Sequence, residues 1–240
     1  MRIGRAHLGV RRSPVRTPSD AVAVTSAAQR AGFRVVGALF YDAQVAGLPD
    51  ASAAVRWLKR RTLAELPGRR DAVVTALRQV ADLAFVNGGG TGSLHDFADP
   101  AGVTQLAAGS GLFGPTLFDD YRAFTPRPAL RFGLPAVRRP APGIVTLFSG
   151  GYVASGEPGW ARVPRPVDAA LRLLPTEGAG EVQTPVRGAS ADRVRLGDTV
   201  WFRGAKAGEL LERFDVLHVL EGGAVVATWP TYRGEGRNFG

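Results

Sequence analysis

Cysteine is absent from all 240 residues, which excludes disulfides and thiolate metal sites. Lysine is almost absent: of thirty basic residues only Lys59 and Lys206 are lysines. No apolar run reaches the ~18 residues that a membrane-spanning helix needs. The segment from Met1 to His7 lacks the apolar stretch of a secretory signal. These absences predict a cytoplasmic chain with no membrane partner.

The rest of the composition is globular, with 45% hydrophobic and 21% charged residues. A formal charge of +9 invites a nucleic-acid reading. The arginines are scattered, however, and arginine, alanine and glycine are abundant together, as coding bias would make them. The dense cluster from Arg56 to Arg61 falls in a helical pattern and reads as a solvated face, Lys59 included. No nucleic-acid partner is expected, only nonspecific polyanion affinity at low salt.

The first 125 residues alternate strand and helix signals. Residues 2–10 form a short extended candidate. Thr17-Pro18-Ser19-Asp20 opens a helix that ends near Gly32. Phe33 to Tyr41 (FRVVGALFY) is an apolar run of strand length, suited to a strand buried on both faces. Residues 52–82 read as helix, either kinked or split at Pro67-Gly68. Val73, Leu77, Val80 and Ala84 share one face of that pattern. Short strands at Leu83 to Val86 and Val103 to Ala108 each run into a glycine-rich loop. Such repetition means parallel pairing, and in a βα barrel these loops form the functional face.

The character changes near Thr125-Pro126-Arg127-Pro128. Short alternating runs follow at Leu130 to Val137, Gly143 to Phe148 and Arg193 to Arg203. Val216 to Thr228 reads as a hairpin turning at Gly222-Gly223. The expected class is α/β plus all-β: a partial, TIM-like βα barrel over 1–125 and a β domain over 126–240.

The loop NGGGTGS at 87–93 carries the strongest chemical signal. Successive glycines let backbone N–H groups converge on one point, and the Thr91 and Ser93 hydroxyls add donors. The pattern fits a phosphate dianion, and it equally fits a tight turn with no ligand. It is not a dinucleotide fingerprint, because no acidic residue follows a second strand at the required distance. The segment AGSGLFGPTLFDDY at 108–121, taken alone, reads as a flexible connection.

NGGGTGS, AGSGLFGPTLFDDY, VWFRGAKAGELLERFDVLH and PTYRGEG occur in this order along the chain. The series resembles the D-serine dehydratase/D-threonine aldolase family, and within it the bacterial amino acid deaminase/aldolase branch. Members join an alanine-racemase-like barrel that binds pyridoxal 5'-phosphate (PLP) to a C-terminal β domain. The resemblance implies a PLP-dependent lyase acting on a small D-amino acid by deamination, aldol cleavage or racemisation. It implies that Gly89, Gly90, Thr91, Gly92 and Ser93 hold the cofactor phosphate. It implies that Tyr41 lies near the pyridine ring, with Gln44 just beyond it in the same loop, and that Arg5 belongs to a strand lining the barrel mouth.

The sequence departs from the family in two ways. PLP enzymes need a lysine that binds the cofactor covalently, and the family carries it on the first barrel strand. Met1 corresponds to the middle of that barrel, so the resemblance implies that roughly four of the eight strands and the lysine are missing. Lys59 is expected on a water-facing helix, and Lys206 lies at a position the family does not use for attachment. Relatives that use zinc or manganese carry metal ligands where Gly204 and Lys206 stand, so no metal is expected. Lys206 is the one catalytic candidate, as a fixed positive charge near the substrate. The acidic and histidine positions Glu209, Glu212, Asp215 and His218 read as a surface network, and His7 and His95 are assigned no role.

Two accounts follow: a truncated enzyme inactive alone, or a non-catalytic PLP- or phosphate-binding remnant. Each needs the missing half or a second copy, because half a barrel leaves an open strand edge. The isolated chain is therefore expected to be poorly soluble or oligomeric.

Overall fold

The computed structural model describes residues 2–3, 6–7, 11–50, 52–96 and 102–238, leaving aside the side chains of residues 2, 3, 6, 7 and 44. Arg5 lies outside the described residues. The chain divides into two compact units, one formed by residues 1–109 with 120–125, the other by 110–119 with 126–240.

The first unit is built on helices and a three-stranded parallel sheet, Gly37–Leu39, Phe85–Gly88 and Gln105–Leu106 in that spatial order. Arg2–Ile3 pairs antiparallel with Ala6–His7. The helix Pro18–Arg30 starts where its capping signal predicts. Asp20 N–H donates to the Thr17 hydroxyl, and the Asp20 carboxylate accepts from Thr17 N–H at 2.9 Å. Ala53–Arg78 is one continuous helix of 26 residues, not a pair, although Pro67 lies inside it. Pro67 is exposed, so the carbonyl that loses its N–H partner can be hydrated.

Ala21, Val73 and Leu77 pack beneath Ala38 and Phe40, and Val74 meets Val86 and Val103. The helices therefore cover one face of the sheet. The expectation of a long strand buried on both faces fails. Only Gly37–Leu39 pairs, Leu39 is 73% exposed and Phe33 is 69% exposed. The apolar run supplies side chains for two faces, and among the described residues the helices cover only one.

The second unit is a six-stranded antiparallel sheet with spatial order Arg165–Pro166, Thr199–Arg203, Phe132–Ala141, Ile144–Phe148, Gln183–Arg187, Arg172–Leu173. Its inward positions alternate as a strand requires: Phe132, Leu134 and Ala136 are buried on one strand, Val200 and Phe202 on its neighbour. Phe132 stacks on Phe202 with centroids 5.6 Å apart. The two outermost strands lie side by side, so the sheet is nearly closed. Segment 110–119 joins this unit because Thr116 N–H donates to Gly204 C=O, and Arg203 binds the Asp119 carboxylate and the Gly114 carbonyl. The strands Val216–Glu221 and Ala224–Pro230 form the hairpin anticipated at Gly222-Gly223. Both glycines have positive φ, 56° and 86°, as a two-residue hairpin turn of the primed type demands.

Candidate functional site

In a parallel sheet all strand C-termini lie at one end, which is why βα loops gather there. Here Leu39 leads to Tyr41 and Asp42, Gly88 leads to the 89–93 loop, and Leu106 leads to Ala107 and Ala108. Backbone bonds lace the three together: Phe40 N–H donates to Asn87 C=O at 2.9 Å, and Ala107 N–H to Gly88 C=O at 3.0 Å. The Thr91 hydroxyl donates to the Ala108 carbonyl. Tyr41 and the residues 89–93 thus lie together, with the Tyr41 ring against Gly90. Gln44 lies in the short helix Ala43–Ala46 of the same loop, with its side chain outside the description.

The loop turns at Gly89, whose φ of 83° favours glycine, and then forms a 3-10 turn over Thr91–Asp96. Ser93 N–H donates to Gly90 C=O at 2.9 Å, while the Ser93 hydroxyl accepts from Gly90 N–H at 3.2 Å. Ser93 is completely buried. The Thr91 and Ser93 hydroxyls therefore hold the loop's own shape. What the loop can offer a ligand is its backbone.

Two of its glycines are also required by packing. A Cβ on Gly90 would sit 2.9 Å from the Ala46 Cβ and 3.0 Å from the Tyr41 ring. On Gly92 it would sit 2.4 Å from the Ala46 carbonyl oxygen and 2.6 Å from the Tyr121 ring. The loop is pressed onto the layer formed by the 41–46 segment and Tyr121.

Beneath that layer lies a charged cluster that the sequence reading placed in water. Lys59 is 7% exposed, and its ammonium donates to the Asp50 carboxylate at 2.6 Å. The same ammonium lies 4.5 Å from the centroid of the Tyr121 ring. Only its helix neighbours, among them Arg60 and Arg61, form the solvated face. Burial pushes the Asp50 carboxyl up, but the Lys59 hydrogen bond and charge, with the Arg122 and Ala123 amides, outweigh it and hold it below the ordinary range. Asp42 behaves in the opposite way. Burial pushes its carboxyl up, Asp96 adds to this, and Arg70 and a hydrogen bond with Ser93 only partly offset it. Burial also raises Asp96 and the Tyr121 hydroxyl. The one mark that Lys59 carried in the sequence was its rarity, as one of two lysines among thirty basic residues. Asp42, Asp50 and Tyr121 carried no such mark.

The Asn87 side-chain oxygen is buried with no hydrogen-bond partner among the described residues. A recess of about 650 Å³ lined by Gln29, Phe33, Val80 and Asp82 lies at the opposite end of these strands and is a separate feature.

In the second unit, the Lys206 ammonium donates to the Ser155 hydroxyl at 3.1 Å, and Glu209 accepts from Ser155 N–H at 3.0 Å. A Cβ at Gly204 would lie 2.8 Å from the Lys206 carbonyl oxygen, so the backbone there is closed around glycine. Asp215 pairs with Arg233, and His218 bonds to Thr228 across the hairpin. The described residues contain no group of three or more histidine or acidic side chains placed to hold a metal.

No family model and no curated protein sequence matches the chain. Solved structures do. D-threonine aldolase from Filomicrobium marinum superposes with a TM-score of 0.76 at 21% identity, over 95% of this chain and 61% of its own. D-threo-3-hydroxyaspartate dehydratase from Delftia sp. HT23 gives 0.63 at 19%, over 89% of this chain and 60% of its own. An alanine racemase-like protein from Idiomarina loihiensis gives 0.59 at 14%, over 90% and 70%.

The chain has an alanine-racemase-like fold and covers the C-terminal part of these structures. It spans about 60% of the length of the aldolase and dehydratase structures it resembles. A partial βα barrel followed by a β domain, the architecture expected from the motifs, is therefore its fold class. No helix among the described residues is long and apolar enough to cross a membrane.

Proposed function

We propose that this chain is the cofactor-phosphate-binding portion of a PLP-dependent D-amino acid lyase of the aldolase or dehydratase type. The observation that carries the reading is the placement of residues 89–93. Their glycine backbone sits at the C-terminal ends of three parallel strands, in a fold shared with D-threonine aldolase. Gly89, Gly90, Thr91, Gly92 and Ser93 would form the phosphate cradle: the Thr91 and Gly92 main-chain N–H groups are the donors that suit a dianion, and the Gly90 and Ser93 amides, bonded within the loop, fix its shape. Tyr41, packed on Gly90 and 49% exposed, offers a ring face beside them, and Gln44 belongs to the same loop. When bound, the cofactor supplies an electron sink for carbanion chemistry at the amino acid's α-carbon.

The two lysines do not fit covalent attachment. Lys59 is buried against Asp50, and Lys206 is bonded to Ser155 in the other unit. The attaching lysine is therefore supplied from outside these 240 residues, and the chain alone is catalytically silent. We assign Lys206 no covalent role, and we assign the site no metal. A small D-amino acid is the substrate class, and a second copy or the complementary half of the barrel is the partner.

Adding PLP to the purified chain tests this. A visible absorbance that dialysis removes, with no borohydride-fixed label on either lysine, is expected. PLP should bind more tightly than pyridoxal, which lacks the phosphate. Label fixed on Lys59 or Lys206 would show that the chain carries its own attachment lysine. Equal affinity for PLP and pyridoxal would refute the phosphate site.

A further inference from the structure

A lysine buried on a helix is costly. Removing an ammonium and a carboxylate from water carries a penalty that their attraction often fails to repay, and well-packed apolar residues of similar volume are often as stable. The Lys59–Asp50 pair therefore needs an explanation other than stability, and its connections supply one. Asp50 is held at both oxygens: one accepts from Lys59 at 2.6 Å, the other from Arg122 N–H at 3.2 Å. That second bond draws in the chain segment that carries Tyr121. The Lys59 ammonium then lies 4.5 Å from the Tyr121 ring centroid, and the Tyr121 hydroxyl donates to the Ala46 carbonyl at 2.7 Å.

The far side of this assembly touches the glycine loop. The Tyr121 ring and the Ala46 carbonyl oxygen are the two groups that a Cβ on Gly92 would strike, at 2.6 Å and 2.4 Å. Gly92 belongs to the 89–93 loop, and Gly90 rests on Ala46 in the same layer. A chain of polar contacts thus runs from the helix Ala53–Arg78, through Asp50 and Tyr121, to the underside of the loop. Hydrogen bonds are directional and charge-assisted ones more so, so this brace fixes an orientation that apolar packing would leave adjustable.

We propose that Lys59, Asp50 and Tyr121 are positioning residues that set the direction of the Thr91 and Gly92 amides for a phosphate group. The inference rests on the phosphate-site reading above and deepens it. None of the three touches the phosphate; each acts through the loop. Fixing the amides in advance removes the ordering cost at the moment of binding.

The test compares PLP, pyridoxal and inorganic phosphate as probes, using the full chain and equilibrium dialysis. The main variant is the double substitution Lys59→Met with Asp50→Leu. It deletes one charge of each sign, so the net charge facing the anion is unchanged, and it leaves no buried unpaired ion. PLP and inorganic phosphate should each bind about tenfold more weakly. Pyridoxal affinity should stay as in the wild type, and so should the thermal midpoint. Exchange of the Gly92 amide in the ligand-free protein should speed up, a readout that overall stability does not move. A folded double variant with unaltered PLP affinity overturns the proposal and leaves the phosphate site standing. Absence of phosphate-dependent binding in the wild type overturns the site itself. If the double variant does not fold, Tyr121→Phe decides the matter. It keeps the ring and removes the hydroxyl that binds the Ala46 carbonyl, and it should weaken PLP about fivefold, the equivalent of one hydrogen bond; unaltered affinity overturns the brace.

Discussion

The two units solve the burial problem differently. In the second, one cluster joins Phe132, Leu134, Val145, Leu147, Val186, Val200 and Phe202, and several of these are wholly inaccessible. Its sheet nearly closes, so few edges remain. In the first, two small clusters lie between helices and one face of a three-stranded sheet, and the other face shows Leu39 to solvent. Part of what orients the segments of this unit is polar: the Lys59–Asp50 pair and the bond from Tyr121 to Ala46. The β unit carries its stability in its own core. The helical unit carries the candidate site, and its organisation depends on directed contacts around that site.

This contrast can be broken by mutation. Phe202→Ala should be the most damaging change, costing about 3–5 kcal/mol by opening a cavity in the β unit. Its effect should appear in denaturant unfolding as a lower midpoint. If Phe202→Ala costs no more than Val86→Ala, the asymmetry between the cores is wrong. Lys59→Met alone comes next. It leaves the Asp50 carboxylate buried and unpaired, which costs about 3 kcal/mol. Urea titration followed through a label in the first unit would measure it, and a loss below 1 kcal/mol would mean that the pair behaves as an exposed one.

Asp42→Asn should act in the opposite direction. A carboxyl whose folded pKa is raised favours the folded state while protonated. That contribution is present below the ordinary carboxylate range and is lost as pH rises through the folded pKa. At neutral pH the ionised, buried Asp42 is therefore a burden, and Asn should raise the thermal midpoint there. The advantage should shrink as pH falls through the carboxylate range, and a variant less stable than wild type at neutral pH would reject the argument. The Asp50 carboxylate, held low, has the reverse sign: its contribution is present at neutral pH and fades on acidification. Leu39→Ser should matter least, within about 0.5 kcal/mol, because the side chain is already in water. A larger loss would show that the uncovered face is occupied in solution. The same substitution should reduce self-association in light scattering if that face pairs with another copy.

Sequence alone determined whatever depends on local pattern. The capping box at Thr17 and Asp20 set a helix start. The alternation through Phe132 to Ala136 and Val200 to Phe202 set the β unit's inward face. Gly222-Gly223 set a turn that requires positive φ twice, and the ordered glycine-rich motifs set the fold. Tertiary structure decided what depends on which surfaces are covered. FRVVGALFY has the apolar density of a doubly buried strand, but helices reach only one of its faces, so Leu39 stays exposed. Lys59 lies among charged helix residues that read as solvated, yet its ammonium is buried because Asp50, nine residues before it, and Tyr121, far along the chain, meet it there. Periodicity reports which way a side chain points along its own element; it carries no information about whether another element arrives on that side.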